Sequence, residues 1–259
     1  MQVHVLASGS SGNSVLIAMG GTHILVDAGI STRRIEQGLK EVGIAACDLD
    51  AVLITHEHSD HISGLDVLCR RYKLPVYTRP ATWKAMTLSE RFPTECCRPL
   101  ESHMTIGGMD VIPFSISHDA ADPVGFSFFH QGQKCVLATD LGVVTPEVAS
   151  AIADAEVLVL ESNHDPGMLA EGSYPYYLKQ RIRSQVGHLS NLDCARLLGK
   201  TNLPSGAHVF LAHLSQQNNT PSLAEKTVED HLTRCGCEVG RELVLHRTYP
   251  GLRSTLILE

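Results

Sequence analysis

Hydrophobic positions along this chain follow two rhythms, and the switches between them mark out its elements. Near the amino terminus the runs VHVLAS, SVLIA and HILVDAG are separated by Gly and Ser, which predicts consecutive strands at the start of a sheet. The period then changes in STRRIEQGLKEVG, where Ile35, Leu39 and Val42 share one helical face. Ser31 is a candidate N-cap for that helix, and Gly43 stands at the expected stop. LDAVLIT reads as a continuous buried strand, and HISGLDVLCRRY resumes helical spacing. LPVYT is a short strand and PATWKAMTLSERF a helix. MTIGGMDVIPFSIS and GFSFFHQGQKCVLATD are two strand pairs turning at Gly-Gly and Gln-Gly.

The second half repeats the alternation. TPEVASAIADAEVLVLES reads as helix then strand, and AHVFLAHLS, ELVLHRTYPG and STLILE supply further strands. A polar, tyrosine-containing segment over 166–186 interrupts the pattern and reads as an insertion or lid. Ser190 with Asp193, and Ser222 with Glu225, have capping-box spacing ahead of apolar-periodic helices. With no linker or low-complexity stretch, this order predicts one α/β (α+β) domain over 1–259, with two sheets and helices outside.

Composition narrows the class. With 43% hydrophobic and 19% charged residues, 259 residues can bury a sizeable core and leave no disordered tail. MQVHVLASGSSGNSVLIAMGG has no basic leader, and Gly and Ser break its apolar runs. Neither a signal peptide nor a transmembrane helix fits it, and the expectation is a cytoplasmic protein with no membrane partner. The eight cysteines are scattered, and the close pairs Cys96/Cys97 and Cys235/Cys237 lack the gap that lets two thiolates hold one zinc. Reduced thiols are the reading. A net charge of −7 argues against a broadly basic surface, so the local clusters CRRYK and KQRIR matter more for any nucleic-acid contact.

The chemistry concentrates in THEHSDHISG, between a buried strand and a helix, where α/β folds place ligands. Imidazoles and carboxylates this crowded repel or neutralise one another unless a cation holds them. His56 and His58 sit two apart, so on an extended backbone both rings face one side and can share one metal. Asp60 and His61 follow where the chain turns helical, placed to serve a second metal beside the first. A solvated polar loop is the plain alternative. Three histidines and an aspartate within His56–His61 argue against it.

This H-x-H-x-D-H signature resembles that of the metallo-β-lactamase superfamily. The resemblance implies a four-layer αββα sandwich and further ligands downstream. His118 in VIPFSISHD would complete a first set with His56 and His58, while His103 in LESHMTIGG is a weaker competitor because it precedes its strand. Asp140 in KCVLATD matches the bridging aspartate, and His213 in VFLAHLSQQN the last histidine. A second ion would then take Asp60, His61, Asp140 and His213. Nitrogen and oxygen donors suit two divalent ions, Zn²⁺ or Mn²⁺. Asp27 in ILVDAG matches an early aspartate that orients a ligand, with a cap on STRRIEQ as its structural alternative.

SGSSGNS, THEHSDH, LESNHD, GHLSN and AHLSQQNN together resemble the YycJ (WalJ, VicX) group over essentially the whole chain. That resemblance implies a DNA exonuclease working from the 5′ end of single strands or duplex ends, linked to mismatch repair. Two cations roughly 3.5–4 Å apart would hold a bridging hydroxide and polarise a phosphoryl oxygen. His188 in GHLSN is the first candidate to serve the leaving oxygen and His164 in LESNHD the second, with Asp60 orienting the nucleophile. A hydrolase of small thioesters, lactams or cyclic phosphates, and a regulator with purely structural metals, are the rival readings. SGSSGNS lacks a following Lys and precedes a strand, so it reads as a tight turn rather than a phosphate loop.

Overall fold

The computed structural model describes residues 1–258. The first sheet is built from β1 (Gln2–Ala7), β2 (Ser14–Met19), β3 (Thr22–Val26), β4 (Ala51–Leu53), β5 (Val76–Thr78) and β6 (Cys97–Pro99). The second contains β7 (Met104–Ile106), β8 (Met109–Ser115), β9 (Val124–His130), β10 (Gln133–Ala138), β11 (Val157–Glu161), β12 (Ala207–Ala212) and β13 (Leu243–Arg247). The chain then returns as β14 (Ser254–Ile257) to pair antiparallel with β1, which ties its last strand to its first. Spatial orders are β14-β1-β2-β3-β4-β5-β6 and β13-β12-β11-β10-β9-β8-β7. Both sheets are mixed: β3 to β6 and β10 to β13 run parallel, and the remaining neighbours antiparallel.

The unbroken apolar runs reflect burial on both faces. In β11, Val157 and Val159 enter the core between the sheets, while Leu158 and Leu160 face an outer core. β3 divides likewise, with Ile24 and Val26 between the sheets and Leu25 outside. The outer layer of the first sheet includes α1 (Thr32–Glu41), α2 (Ser59–Ile62), α3 (Leu65–Tyr72) and α4 (Pro80–Ala85). That of the second includes α5 (Pro146–Ile152), α8 (Asn191–Leu198) and α9 (Pro221–Arg234), with the short α6 (Pro166–Glu171) and α7 (Tyr176–Ile182) occupying the segment 166–186. Helix, sheet, sheet, helix is the layer order.

Three local expectations change. HISGLDVLCRRY is not one helix, because the Asp60 carbonyl accepts from Asn13 N and Gly64 N turns to Ala28 O, so the ladder breaks between α2 and α3. PATWKAMTLSERF is helical only to Ala85; Met86 leaves in an extended conformation and is buried in the outer core. Ser222 does not cap α9. Thr220 does, accepting from Leu223 N at 3.2 Å, because Pro221 suits the first helical position, where its missing N–H costs nothing. Glu225 pairs with Arg247 instead. Ser190 does cap α8, accepting from Asp193 N at 3.1 Å.

Candidate metal centre

Carboxyl-terminal ends of strands from both sheets meet at one edge of the sandwich. Asp27 follows β3 with φ 60°, Asp140 follows β10 with φ 60° and His213 follows β12 with φ 54°. Left-handed backbone is unfavourable for residues with a Cβ and tends to persist where function requires it. In each case the twist turns a polar side chain out of a buried strand. The same crowding explains Gly29, where a Cβ would stand 1.6 Å from the Asp60 carbonyl oxygen.

On the first-sheet side, Asp27 Oδ2 accepts from His61 Nδ1 at 2.7 Å, and Oδ1 accepts from Thr55 N at 2.9 Å. The Thr55 hydroxyl donates to Asp27 and lies 3.0 Å from His56 Nδ1, which can donate back to it. Asp27 therefore does not cap α1; its carboxylate is committed to Thr55 and His61. On the second-sheet side, His118 Nδ1 donates to Gly187 O at 3.1 Å. Glu161 Oε1 accepts from His188 Nδ1 at 2.8 Å and from His213 Nδ1 at 2.9 Å.

His56, His61, His118, His188 and His213 thus each turn Nδ1 to an oxygen acceptor, which leaves Nε2 as the basic nitrogen. The Nε2 atoms of His56, His61, His118 and His213, with His58 Nδ1 and the carboxylates of Asp60 and Asp140, converge, and His188 joins them through Nδ1, 3.6 Å from Asp140 Oδ1. His56 Nε2 lies 3.0 Å from His58 Nδ1, and His61 Nε2 lies 3.3 Å from Asp140 Oδ2. His213 Nε2 lies 3.5 Å from Asp60 Oδ2. Four groupings place their ligand atoms within 4.8 Å of one another: His56/His58/His118, His56/His61/Asp140, Asp60/His61/His213, and Asp140/Glu161/His188/His213.

The cluster is short of positive charge. Asp140 Oδ2 is buried with no hydrogen-bond partner, an orphan that costs stability unless a cation meets it. Burial opposes ionisation of Asp60, but hydrogen bonds with His213 and His61 outweigh it and hold the carboxyl far below its usual range. Burial likewise opposes the charged form of His61; Asp27 and Asp140 overcome this and raise it well above an ordinary imidazole. His213 rises to about 10 against its burial, through Asp140, Asp60 and Glu161. His56, by contrast, is pushed well down by burial and by the neighbouring His61, His118 and His58, and burial also lowers His118. Oriented Nε2 atoms around excess carboxylate are a donor set for a divalent cation, and the cluster fits one.

Of the residues singled out from sequence, His56, His58, Asp60, His61, His118, Asp140, His188 and His213 come together, with Asp27 behind His61. His103 does not join them; it is exposed and sits 3.4 Å from Asp110. His164 is buried, its Nδ1 has no hydrogen-bond partner, it is not among the residues lining the cavity, and burial pushes it to about 4. Sequence reading missed Glu161, which is wholly buried and also accepts from Leu141 N and Leu189 N through Oε2 at 2.7 and 2.9 Å. Its signal was available, since it closes an apolar strand on the same face as Val157 and Val159, between the sheets. Thr55 and Asn13 were also overlooked; Asn13 Nδ2 lies 3.2 Å from His61 Nε2.

A cavity of about 230 Å³ opens over the cluster, and α7 and the loop before it wall one side with Tyr174, Leu178, Arg181 and Ile182. Arg181 is held by two bonds to Asp119, of 2.5 and 2.9 Å. A larger hollow of about 640 Å³ between α5 and α8 contains none of the convergent groups, so volume does not mark the site. No helix of the described residues is long and apolar enough to cross a membrane.

Comparison with known proteins agrees with this geometry. A family model described as the metallo-beta-lactamase superfamily matches residues 7–177. The chain is 41% identical over 255 residues to the exodeoxyribonuclease YycJ of Bacillus anthracis, covering 97% of each chain. It is 38% identical over 257 residues to the exodeoxyribonuclease WalJ of Streptococcus pneumoniae, covering 97% of this chain and 96% of that one. Among solved structures, Zn²⁺-bound PqqB from Methylobacterium extorquens superposes over 100% of both chains with a TM-score of 0.72 at 17% identity, a likeness of fold.

Proposed function

The chain belongs to the metallo-β-lactamase superfamily, and from that premise we propose that it is a cytoplasmic, metal-dependent phosphodiesterase that digests DNA from the 5′ end in DNA repair. The observation that carries the substrate is full-length similarity at 41% and 38% identity to two exodeoxyribonucleases. The cluster supports the hydrolytic half of the reading.

His56, His58 and His118, with Asp140, would hold one divalent ion, and Asp60, His61, Asp140 and His213 a second, either Zn²⁺ or Mn²⁺. When bound, such ions supply Lewis-acid polarisation of a phosphoryl oxygen and a nucleophile from water at neutral pH. The chain's own groups do the remainder. Asp140 would be common to the two ligand sets. Asp60, half-buried and lining the cavity, would orient the attacking water through its carboxylate. Glu161 holds His188 by Nδ1, so its Nε2 is the nitrogen available to give a proton to the leaving oxygen. The segment 166–186 acts as a lid within a single domain, with Arg181 presenting its guanidinium at the cavity for a phosphate.

The direct experiment incubates metal-loaded protein with DNA labelled at either end, with and without a 5′ phosphate. Early release of the 5′ label is expected. Intact DNA with both Zn²⁺ and Mn²⁺ would sink the proposal. The modest cavity of about 230 Å³ favours one second reading, hydrolysis of a small thioester, lactam or cyclic phosphate. Turnover of such a compound that excess DNA does not inhibit is the result that would establish it.

A further inference from the structure

Three turns at the edge of the second sheet bring polar side chains into one knot behind the centre: Ser162 and Asn163 after β11, Asn191 at the start of α8 and Asn219 just before α9, all buried. Asn219 Nδ2 lies 2.8 Å from Ser162 O, 3.0 Å from Asn163 O and 2.8 Å from Asn191 Oδ1. Asn219 Oδ1 accepts from Asn191 Nδ2 at 3.0 Å and from Thr220 N at 2.9 Å. Asn191 Oδ1 also accepts from Ser162 Oγ at 2.7 Å. Apart from Thr220, every partner belongs to another turn. Burying polar groups is costly unless they are bonded, and a fully bonded set is rigid and directional.

Asn163 passes that rigidity to the ligands. Its N donates to Leu189 O, beside His188, its O accepts from Ser215 N, and its Nδ2 donates to His213 O, each at 2.8 Å. His213 needs such a hold. Its φ of 54° is unfavourable for a residue with a Cβ and persists only where the surroundings fix it. Ser8 Oγ accepts from His213 N at 2.6 Å, so side chains grip both the N–H and the C=O of this residue. The first ligand set is mounted differently. His56 and His58 bond to Thr55 and to each other, and His118 bonds to Gly187 O, all outside the knot.

We infer that Asn219, at the middle of this knot, is a positioning residue for the second ion: through Asn163 it holds His213 in the left-handed conformation that turns its imidazole toward Asp60 and His61. The inference rests on the two-ion reading above. It gives the asparagines of LESNHD, GHLSN and AHLSQQNN a task which that reading leaves unassigned.

The test titrates metal-free protein with Zn²⁺ against a chromophoric chelator and reads the two binding steps separately, with His213→Ala showing which step belongs to the second set. Asn219→Asp keeps the volume and loses the Nδ2 donor. Asn163→Ala removes the bond to His213 O, and it decides the matter should Asn219→Asp not fold. Each variant is expected to weaken the second step about tenfold or more, the usual cost of losing a group that steers a ligand, and to leave the first within about twofold. Val228→Ala, a cavity in the outer core on α9, should lower the thermal midpoint and move neither step. An unchanged second step in either folded variant, equal weakening of both steps, or the same loss in Val228→Ala overturns the positioning role while the two-ion reading stands. A wild type that takes up one ion per chain overturns the two-ion reading itself.

Discussion

The first sheet delivers its share of the centre from one stretch, Thr55–His61, which contributes three imidazoles, the Asp60 carboxylate and the Thr55 hydroxyl that meets His56 and His61. The second sheet delivers single side chains from distant turns: His118, Asp140, Glu161, His188 and His213. In the first half one buried acid, Asp27, orients one ring, His61, and accepts one backbone N–H and one hydroxyl, both from Thr55. In the second, Glu161 orients two rings and also accepts two backbone N–H groups, from Leu141 and Leu189, which directly follow Asp140 and His188. A local motif needs little outside help to hold its shape. Ligands gathered from separate turns need a common post, and Glu161 is that post.

Asp140 comes from the second sheet but reaches His61 of the first, 3.3 Å from its Nε2, so removing its charge should break the comparison altogether. Asp140→Asn is expected to lower turnover by about 10³-fold or more, since transition-state charge stabilisation of several kcal/mol is lost. Bound metal per chain, by elemental analysis, should fall with it. Retention of both metal and turnover would show that the convergence is not the working site.

Next in size is the contrast between the two orienting acids. Asp27→Ala and Glu161→Ala should each reduce metal affinity about 10–100-fold, the usual cost of losing a group that steers a ligand. Asp27→Ala strands one buried amide, Thr55 N, whereas Glu161→Ala strands two, at about 1–3 kcal/mol each, so the metal-free thermal midpoint of Glu161→Ala should fall further. Equal midpoints for the two variants would count against the post.

Protons sharpen the comparison further, because each half holds one imidazole with a raised pKa, His61 and His213. The buried carboxylates around them favour the charged form of both rings, and an entering cation competes with their protons. Metal affinity should therefore climb as pH rises from 7 toward the His213 value of about 10. Calorimetry in buffers of different ionisation enthalpy should register proton release on metal binding, and none would contradict the charge balance described.

The smallest effect comes from a buried histidine outside the centre. His4 on β1 is lowered to about 4 by burial and then by Arg253. Its folded pKa lies below its unfolded value, so the unfolded chain binds the extra proton. The contribution is intact above about pH 6.5 and is lost as pH falls toward 4, amounting to about 1–2 kcal/mol at pH 5. His4→Gln should flatten that part of the stability curve, measured on metal-free protein by denaturant unfolding. An unchanged slope would show that His4 is not its source.

The alternation of apolar runs and helical stretches was legible as two sheets with helices outside, and the H-x-H-x-D-H spacing as a metal motif, because both depend on neighbours in sequence. Hairpin turns at Gly107–Gly108 and Gln131–Gly132 were legible for the same reason; Gly107, Gln131 and Gly132 adopt the positive φ that such turns need. Glu161 was not legible as a shared anchor. Its inward place at the end of an apolar strand could be read, but its partners lie 20 to 52 residues away, so what it would hold could not. Nor could sequence say where the His164 ring would lie: the fold buries it and leaves it off the cavity wall.

By itself, then, the order of residues determined which segments become strands or helices and which side chains are able to bind a cation. Periodicity and side-chain chemistry are local properties, and they survive in the unfolded chain. Only the tertiary structure decided which imidazole nitrogen is left basic and which carboxyl oxygen is left without a partner. Each of those depends on groups brought together when the two sheets pack and the strand ends meet.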